Sequence, residues 1–234
     1  MEEEGLGNSI YSRKETAYFT FGRFQPPTIG HGALIRELSR VSQENNADAY
    51  VFVSSTLDKK KNPLTVFQKV SWLKRIFPDV AVRFINTTTC RKSFASVAVV
   101  KECKTIFAAI DVLRSAGYKE VTLCVGSDRV SEFVQLLKRF SPEGISMKVL
   151  GLGGKRDETA TDVTGMSGTK MREAALRNNF PTFSAGVDLP EHSARILMEQ
   201  VKDGMKGGNI ERKRTRKFVK KLNRLTRCNR NVHA

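Results

Sequence analysis

Short apolar runs alternate along this chain with stretches in which apolar residues recur every three or four positions. The short runs are typical of buried strands, and the wider spacing is typical of amphipathic helices. Five such runs predict strands at 18–21, 49–53, 80–85, 121–125 and 145–150. Because helical stretches separate them, the pattern predicts a Rossmann-like, doubly wound α/β fold with a parallel five-stranded sheet.

The helical spacing places amphipathic segments between these strands. One helix begins after Thr28 and ends in the polar stretch 43–46, and another begins after Thr65, where Trp72 is expected to pack inside. A further helix covers 104–116 and ends at Gly117. In a doubly wound sheet, ligands bind beyond the carboxyl ends of the strands, so the segments that follow each strand are the candidate site.

The segment that follows the first strand carries the clearest chemistry. Gly22 ends the strand, and the two prolines at 26–27 exclude both a helix interior and a central strand. Thr28 stands at a predicted helix N-cap, where free N–H groups and the positive end of the helix dipole suit a phosphate. Gly30 lets a ligand approach the backbone, and His31 can donate to a phosphate oxygen. An ordinary strand-to-helix connection is the alternative.

Two other strands end in polar segments at the same edge. The loop after the second strand contains Lys59, Lys60 and Lys61, which are either solvated or close enough for one lysine to reach a triphosphate. The fourth strand continues into the turn Gly126-Ser127-Asp128, and a helix follows Arg129. Both segments are therefore candidates for ligand contacts.

A second helix start, in the sequence MSGTKMRE at 166–173, also suits phosphate. Ser167 and Thr169 carry hydroxyl groups at the first turn, and Arg172 supplies a guanidinium one turn later. Free N–H groups, hydroxyls and a forked cation together can grip phosphate oxygens. On its own, however, the pattern is more typical of a plain helix cap.

The first segment resembles a signature of the nucleotidyltransferase superfamily, written G-x-F-x-P-x-[HT]-x-G-H. Every fixed position matches: Gly22, Phe24, Pro26, Thr28, Gly30 and His31. The second resembles the superfamily signature [IM]-S-[SGA]-T-x-x-R, at the expected place after the fifth strand. The resemblance covers 18–205 and is strongest to the nicotinamide-nucleotide adenylyltransferases of archaeal type and their phage and large-virus relatives. Those archaeal enzymes usually carry histidine at the position of Thr28. Threonine at this position is found in phosphopantetheine adenylyltransferases and in the viral relatives.

The resemblance implies an enzyme that joins a nucleoside triphosphate to a phosphorylated small-molecule acceptor and releases pyrophosphate. ATP and nicotinamide mononucleotide giving NAD is the first expectation, and phosphopantetheine adenylyl transfer or cytidylyl transfer is the alternative. A Mg²⁺ ion bridging the phosphates is expected, with water as its main ligand and no metal site made of protein side chains. The implied catalytic residues are Thr28, His31 and Arg172. The implied nucleotide-binding residues are Gly22, Arg23, Phe24, Gln25, Gly30, Gly126, Asp128, Ser167 and Thr169, with Lys59, Lys60, Lys61 and Arg156 as further phosphate contacts.

Composition and charge divide the 234 residues into three parts. We expect a flexible arm at 1–15, the nucleotidyltransferase domain at 16–205 and a basic tail at 206–234. The tail has eleven Lys or Arg and one Glu, which gives it +10 of the net charge of +16. Such a tail is either simply solvated or binds nucleic acid, another polyanion or a protein partner.

The remaining features concern the setting of the protein. No apolar run approaches the roughly 20 residues of a membrane span, and the acidic, polar start is unlike a secretory signal. The four cysteines lack metal-binding spacing, so reduced thiols and a cytoplasmic location are expected, in the host cytoplasm or virion if the protein is viral. The sequence is compatible with both a monomer and a homo-oligomer. A non-catalytic, nucleic-acid- or virion-associated binding protein on the same fold is the alternative of another class.

Overall fold

The central element is one parallel sheet. The computed structural model describes residues 14–86, 105–140, 142–153 and 166–207. Within them, five strands lie side by side in the order β3-β2-β1-β4-β5, and every pair is parallel. The strands are β1 Thr16–Gly22, β2 Asp48–Val53, β3 Arg83–Asn86, β4 Glu120–Gly126 and β5 Ser146–Leu152. The prediction of a doubly wound α/β fold is confirmed.

Helices cover both faces of the sheet. One core cluster packs the helices α1 and α2 on the face that carries Ala49, Val51 and Val53, and a second packs α3 and α4 on the face of Phe19, Tyr50 and Phe52. Alternate residues of one strand therefore enter different cores, as the two-residue period of a strand requires. The helices are α1 Ile29–Glu44, α2 Val66–Ile76, α3 Ile106–Ser115 and α4 Val130–Lys138.

Three further helices form a separate layer beside α2. They are α5 Gly168–Leu176, α6 Phe180–Ala185 and α7 Glu191–Lys206. Their shared core contains Met171, Phe183 and Leu197 together with Trp72 of α2. Trp72 is buried and donates from its indole nitrogen to the Gln200 side chain at 2.8 Å, so its predicted packing role is confirmed. Leu176, the last residue of α5, is exposed.

The predicted boundaries differ from the structure most at β3. Pairing with β2 begins only at Arg83, whereas the apolar pattern predicts a strand from Val80. The chain turns locally before it, since the Val82 N–H donates to the Val80 carbonyl and the Ala81 N–H donates to Ser39 Oγ. These bonds hold residues 80–82 out of the sheet. At the other edge, β5 continues two residues past its predicted end to Leu152.

Several expectations lie outside the described residues. They concern the arm up to residue 13, the segment 87–104, Arg156 and the tail from residue 208. At the inner end of the arm, the Glu15 carbonyl accepts from the N–H groups of Lys119 and Glu120.

Cys124 is buried, and burial raises the pKa of its thiol to about 12, in agreement with a reduced core cysteine. Across the described residues, no helix combines the length and the apolar character needed to cross a membrane.

The strand order places a crevice next to β1. From β1 the chain adds β2 and β3 on one side, then returns to add β4 and β5 on the other. Because connections leave β1 and β4 in opposite directions, a crevice opens beyond their carboxyl ends, where ligands bind in sheets of this type. The segments after Gly22 and Gly126 both begin at this crevice.

The packing of α7 gives a stability prediction. Gly204 is buried against Pro63, and a Cβ atom at position 204 would collide with the Pro63 carbonyl oxygen. Gly204→Ala should therefore lower the free energy of unfolding by about 1–3 kcal/mol, as overpacking does. Urea unfolding of this variant beside Asp203→Ala, an exposed neighbour on α7, measures the effect. Equal stability of all three proteins would contradict the packing of α7 on Pro63.

Candidate active site

Phe24 shapes the loop between β1 and α1. Its φ angle is 49°, and its ring turns back over Gly22, where an added Cβ would lie 2.6 Å from the ring. The ring is buried and lies against the imidazole of His31, with 4.9 Å between the ring centroids. Gly22 is therefore required by the Phe24 ring itself, and the buried ring supports His31 from one side.

Thr28 and His31 form one hydrogen-bonded unit at the start of α1. The Thr28 N–H donates to Nδ1 of His31 at 3.0 Å, and the Thr28 hydroxyl lies 2.8 Å from the same nitrogen. Since a backbone N–H can only donate, Nδ1 must accept, and the proton of the neutral ring then lies on Nε2. Thr28 is buried, so its N–H and hydroxyl together hold the orientation of His31, and the N–H fixes the tautomer. Gly30 lies in the same first turn.

Gln25 connects this segment to the loop between β2 and α2, residues 54–64, here named the lysine loop. Its side-chain amide is buried and exchanges two hydrogen bonds of 2.8 Å with the backbone of Leu64, one donated and one accepted. The amide nitrogen also donates to the Thr56 carbonyl at 3.3 Å. The side chain predicted to bind nucleotide is thus bonded to the two ends of the lysine loop.

The start of α5 lies directly against the first segment. Arg172 donates from Nη1 to the carbonyl of Gln25 at 2.8 Å and from Nη2 to the hydroxyl of Thr169 at 3.0 Å. A Cβ atom on Gly168 would approach the same carbonyl to 3.0 Å, so the small residue permits this contact. Ser167 caps the helix by accepting from the Lys170 N–H at 3.2 Å. The two predicted phosphate-binding helix starts, although far apart in sequence, are therefore neighbours.

The charge around Arg172 favours an anion. Partial burial lowers the pKa of Arg172 below its ordinary value, and the nearby cation Arg23 lowers it further, while Asp58 opposes both effects. Among the described residues, no carboxylate forms an ion pair with Arg172 or Arg23. The charge of Arg23 thus acts on Arg172, and a bound polyphosphate would relieve their repulsion.

Asp58 organises the tip of the lysine loop. Its carboxylate accepts from the Asn62 side chain and from the N–H groups of Lys60 and Lys61, and these bonds lower the pKa of Asp58 to about 2. All three lysines of the run are exposed. The Lys59 side chain lies against Gly207, just after the end of α7, where a cation complements the helix dipole. Lys60 and Lys61 are the members of the run that project from the ordered tip.

Lys69 is a buried cation that the sequence analysis did not single out. It lies on the inner face of α2 and donates from Nζ to the Ser54 carbonyl, at the beginning of the lysine loop. Burial lowers the pKa of this ammonium group to about 8. The sequence does place a lysine at the apolar spacing of α2, between Val66 and Leu73, and this spacing could have predicted that Lys69 is buried. It does not show which carbonyl the ammonium group binds.

The turn after β4 reaches the same edge on the other side of the crevice. Asp128 is exposed, and its carboxylate lies so close to Gly126 that a Cβ there would be 2.6 Å from Oδ1. Ser127 donates to the carbonyl of Gly153 at the end of β5. Gly126 and Asp128 are thus placed at the strand end, whereas Arg156 lies outside the described residues. Within the described part of the chain, no cluster of side chains could hold a metal ion.

The fold can be compared with solved structures. It is similar to nicotinic acid mononucleotide adenylyltransferase of Plasmodium falciparum complexed with NaAD, with a TM-score of 0.52 and 11% identity over 79% of this chain and 95% of that one. The structure of the same enzyme complexed with APC gives a TM-score of 0.52 and 10% identity over 80% and 97% of the two chains. The chain has the fold of this adenylyltransferase.

The similarity lies in structure and not in sequence. No protein-family model matches the chain, and no curated protein matches it either. At such low identity, the shared feature is the arrangement of strands and helices. Any chemistry must therefore be argued from the residues at the carboxyl edge of this sheet.

Proposed function

We propose that this protein is a nucleotidyltransferase that transfers an adenylyl group from ATP to a phosphorylated small molecule and releases pyrophosphate. One observation carries the proposal. The helix start with Thr28 and His31 and the helix start with Ser167, Thr169 and Arg172 meet through the 2.8 Å contact between Arg172 and the Gln25 carbonyl. Two neighbouring helix starts, with cations between them, suit a chain of phosphates.

The reaction needs positioning and charge stabilisation more than covalent chemistry. An oxygen of the acceptor phosphate attacks the α-phosphorus of the nucleotide in line. The bond from that phosphorus to the oxygen bridging to the β-phosphate breaks, and its electrons leave with pyrophosphate. Negative charge grows on the oxygens around the α-phosphorus and on the leaving group, so fixed donors aimed there lower the barrier.

His31 is the residue we assign to the α-phosphate. With Nδ1 accepting from the Thr28 N–H, the proton of the neutral ring lies on Nε2, and we assign that N–H as the donor to the α-phosphate. It supplies a hydrogen bond that strengthens as charge develops, without accepting a proton itself. Thr28 is buried and acts through His31 as a positioning residue.

Arg172 and its neighbours are assigned to the β- and γ-phosphates. Its guanidinium is held on two sides, by the Gln25 carbonyl and the Thr169 hydroxyl, which leaves the group in one orientation. The first turn of α5, which follows the N-cap Ser167, adds backbone N–H groups. Arg23, Lys60 and Lys61 add positive charge. Gly126 and Asp128 are assigned to the nucleoside, since they follow β4 on the other side of the crevice.

Mg²⁺ belongs to the substrate in this proposal. The ion would arrive bound to phosphate oxygens and water, the ligands that Mg²⁺ usually keeps in nucleotide sites. The protein then needs to recognise only the outer face of the Mg²⁺–triphosphate complex.

Nicotinamide mononucleotide, giving NAD, is the acceptor we propose, on the resemblance of GRFQP and SGTKMR to nicotinamide-nucleotide adenylyltransferases. Thr28 replaces the histidine usual in the archaeal members, so other phosphorylated acceptors are tested with it. The protein is incubated with Mg²⁺, one of ATP, CTP, GTP or UTP, and nicotinamide mononucleotide, nicotinic acid mononucleotide or phosphopantetheine. Pyrophosphate should form fastest with ATP and a pyridine mononucleotide. Its absence with every pair would contradict the proposal.

The basic tail is proposed to bind nucleic acid separately from catalysis. Residues 208–234 carry ten Lys or Arg and one Glu, and none of the site residues assigned above. Removing them, while keeping Gly207 as the cap of α7, should leave pyrophosphate formation unchanged and weaken binding to duplex DNA or RNA. For duplex DNA, the full chain should lose affinity with salt at a logarithmic slope of roughly 0.9 per neutralised phosphate.

A salt titration of both forms, beside one activity assay, measures these effects. Equal nucleic-acid affinity of the full and shortened chains would show that the tail is not a nucleic-acid arm. Loss of activity on shortening would instead make the tail part of the catalytic domain.

A further inference from the structure

The Gln25 side chain has an arrangement that the proposed reaction does not explain. It is 3% exposed, and every hydrogen bond of its amide goes to the lysine loop rather than to the crevice. The amide donates one hydrogen bond to the Leu64 carbonyl and accepts one from the Leu64 N–H, both at 2.8 Å. The side chain thus pairs with the backbone in the way that a neighbouring strand would. The third bond, to the Thr56 carbonyl, holds the other end of the loop.

The backbone of the same residue holds Arg172. The Gln25 carbonyl accepts from Nη1 of Arg172 at 2.8 Å, and Gly168 packs against that carbonyl. One residue therefore joins three segments of the site, namely the first loop, the lysine loop and the start of α5. Movement of the lysine loop would be transmitted to the guanidinium through a single peptide unit.

Beyond Gln25, the lysine loop packs through Pro63 against Gly204 of α7, and two hydrogen bonds hold its beginning. Lys69 holds the Ser54 carbonyl at its beginning, and the Ser54 N–H donates to the Gly22 carbonyl at 2.9 Å. Between these bonds and Leu64, the tip is ordered by Asp58, whose partners lie within the tip itself. The Gln25 amide is thus the described side chain that ties the two ends of the loop to the helix start with His31.

We propose that Gln25 is a positioning residue that holds the lysine loop and Arg172 in one fixed geometry, so that affinity for the triphosphate depends on an amide buried beneath the site. The inference rests on the proposed function for its ligand, a Mg²⁺–triphosphate, but not for the loop contacts. Preorganisation of this kind lowers the cost of ordering the loop when a ligand binds.

Two substitutions separate the roles of the amide. Gln25→Ala removes all three bonds and leaves the Leu64 and Thr56 backbone groups without these partners. Gln25→Glu keeps nearly the same shape and can still accept from the Leu64 N–H, but it places a carboxylate oxygen against two carbonyl oxygens. Leaving buried groups unsatisfied is more costly than losing a bond at the surface, so both variants should release the loop, Gln25→Glu the more strongly.

The rate of amide hydrogen exchange at residues 54–65 of the full chain measures how firmly the lysine loop is held, and it does not depend on enzyme activity. We expect exchange in Gln25→Ala to be at least about tenfold faster than in wild type, with β1 and α7 unchanged. Gln200→Ala is the matched control, because it removes another glutamine hydrogen bond, the part-buried one to Trp72, and leaves the three Gln25 bonds in place. Unchanged exchange at 54–65 in both Gln25 variants would overturn the proposal.

Inorganic tripolyphosphate with Mg²⁺ is the binding probe, because it tests phosphate affinity without a base or an acceptor. Affinity should fall at least about tenfold in Gln25→Ala and stay unchanged in Gln200→Ala. In turnover, KM for ATP should rise by more than kcat falls. Faster exchange with unchanged tripolyphosphate affinity would overturn the link to the ligand. A wild-type protein that binds tripolyphosphate and shows the Gln25 effects, but forms no pyrophosphate, would reject the proposed function while supporting the role of Gln25.

Discussion

Replacing His31 by alanine should lower kcat by two or more orders of magnitude while leaving the fold intact. The Nε2–H that Thr28 orients is assigned to the oxygens where charge develops, and removing one such donor typically costs about 10²–10³-fold in kcat. The contact with the Phe24 ring is lost as well, but position 31 is only partly buried and lies in the first turn of α1. Steady-state rates of pyrophosphate release measure the effect, and circular dichroism checks the fold.

His192→Ala is the matched control for this variant. His192 is exposed in the first turn of α7, so His192→Ala removes a histidine from a helix start that lies outside the assigned site. Its kcat should equal that of wild type. If His31→Ala and His192→Ala turn over equally fast, His31 takes no part in the chemistry and the first helix start is an ordinary cap.

Replacing Arg172 by alanine should raise KM for the nucleotide about 10- to 100-fold with a smaller effect on kcat. Hydrogen bonds to charged groups contribute about 1.5–3 kcal/mol, and each 1.4 kcal/mol is about tenfold in affinity. The leaving pyrophosphate keeps its charge before and during the reaction, so Arg172 would stabilise ground and transition states alike, and uniform binding appears in KM. The variant also loses the contact with the Gln25 carbonyl.

Arg177→Ala and Arg172→Lys complete this experiment. Arg177 is exposed at the end of α5, and its removal should leave KM unchanged. Arg172→Lys keeps the charge but cannot contact the Gln25 carbonyl and the Thr169 hydroxyl with one planar fork, so its KM should lie between those of wild type and Arg172→Ala. Unchanged nucleotide affinity in Arg172→Ala would show that the second motif is a helix cap alone.

The fold could be predicted from the sequence because its local and long-range patterns agree. Continuous apolar runs such as Ala49–Val53 indicate strands covered on both faces, and the helices on the two sides of the sheet bury β2 in that way. Strand ends were predicted less well. Residues 80–82 are apolar enough for a strand, yet their position is decided by contacts such as the one with Ser39, which is distant in sequence.

The site was predictable as far as local patterns reach. Thr28 and Ser167 are N-caps as the sequence indicates, and the sheet order brings their helices to one edge. The partners of Gln25 and Lys69 were not predictable, since each holds a backbone carbonyl, and every residue has one. The proximity of Arg23, Asp58 and Arg172 likewise depends on how two loops and α5 pack, which spacing along the chain does not encode.

The transfer of label from ATP tests the central proposal most directly. The protein is incubated with Mg²⁺, nicotinamide mononucleotide and ATP labelled at either the α- or the γ-phosphorus, and the products are separated. Nucleotidyl transfer predicts that the α label enters the acceptor product and the γ label leaves in pyrophosphate, with both products forming at least about a hundredfold more slowly in His31→Ala. Finding the γ label in the acceptor or in inorganic phosphate, or no transfer of the α label to any acceptor in the panel, would contradict the account.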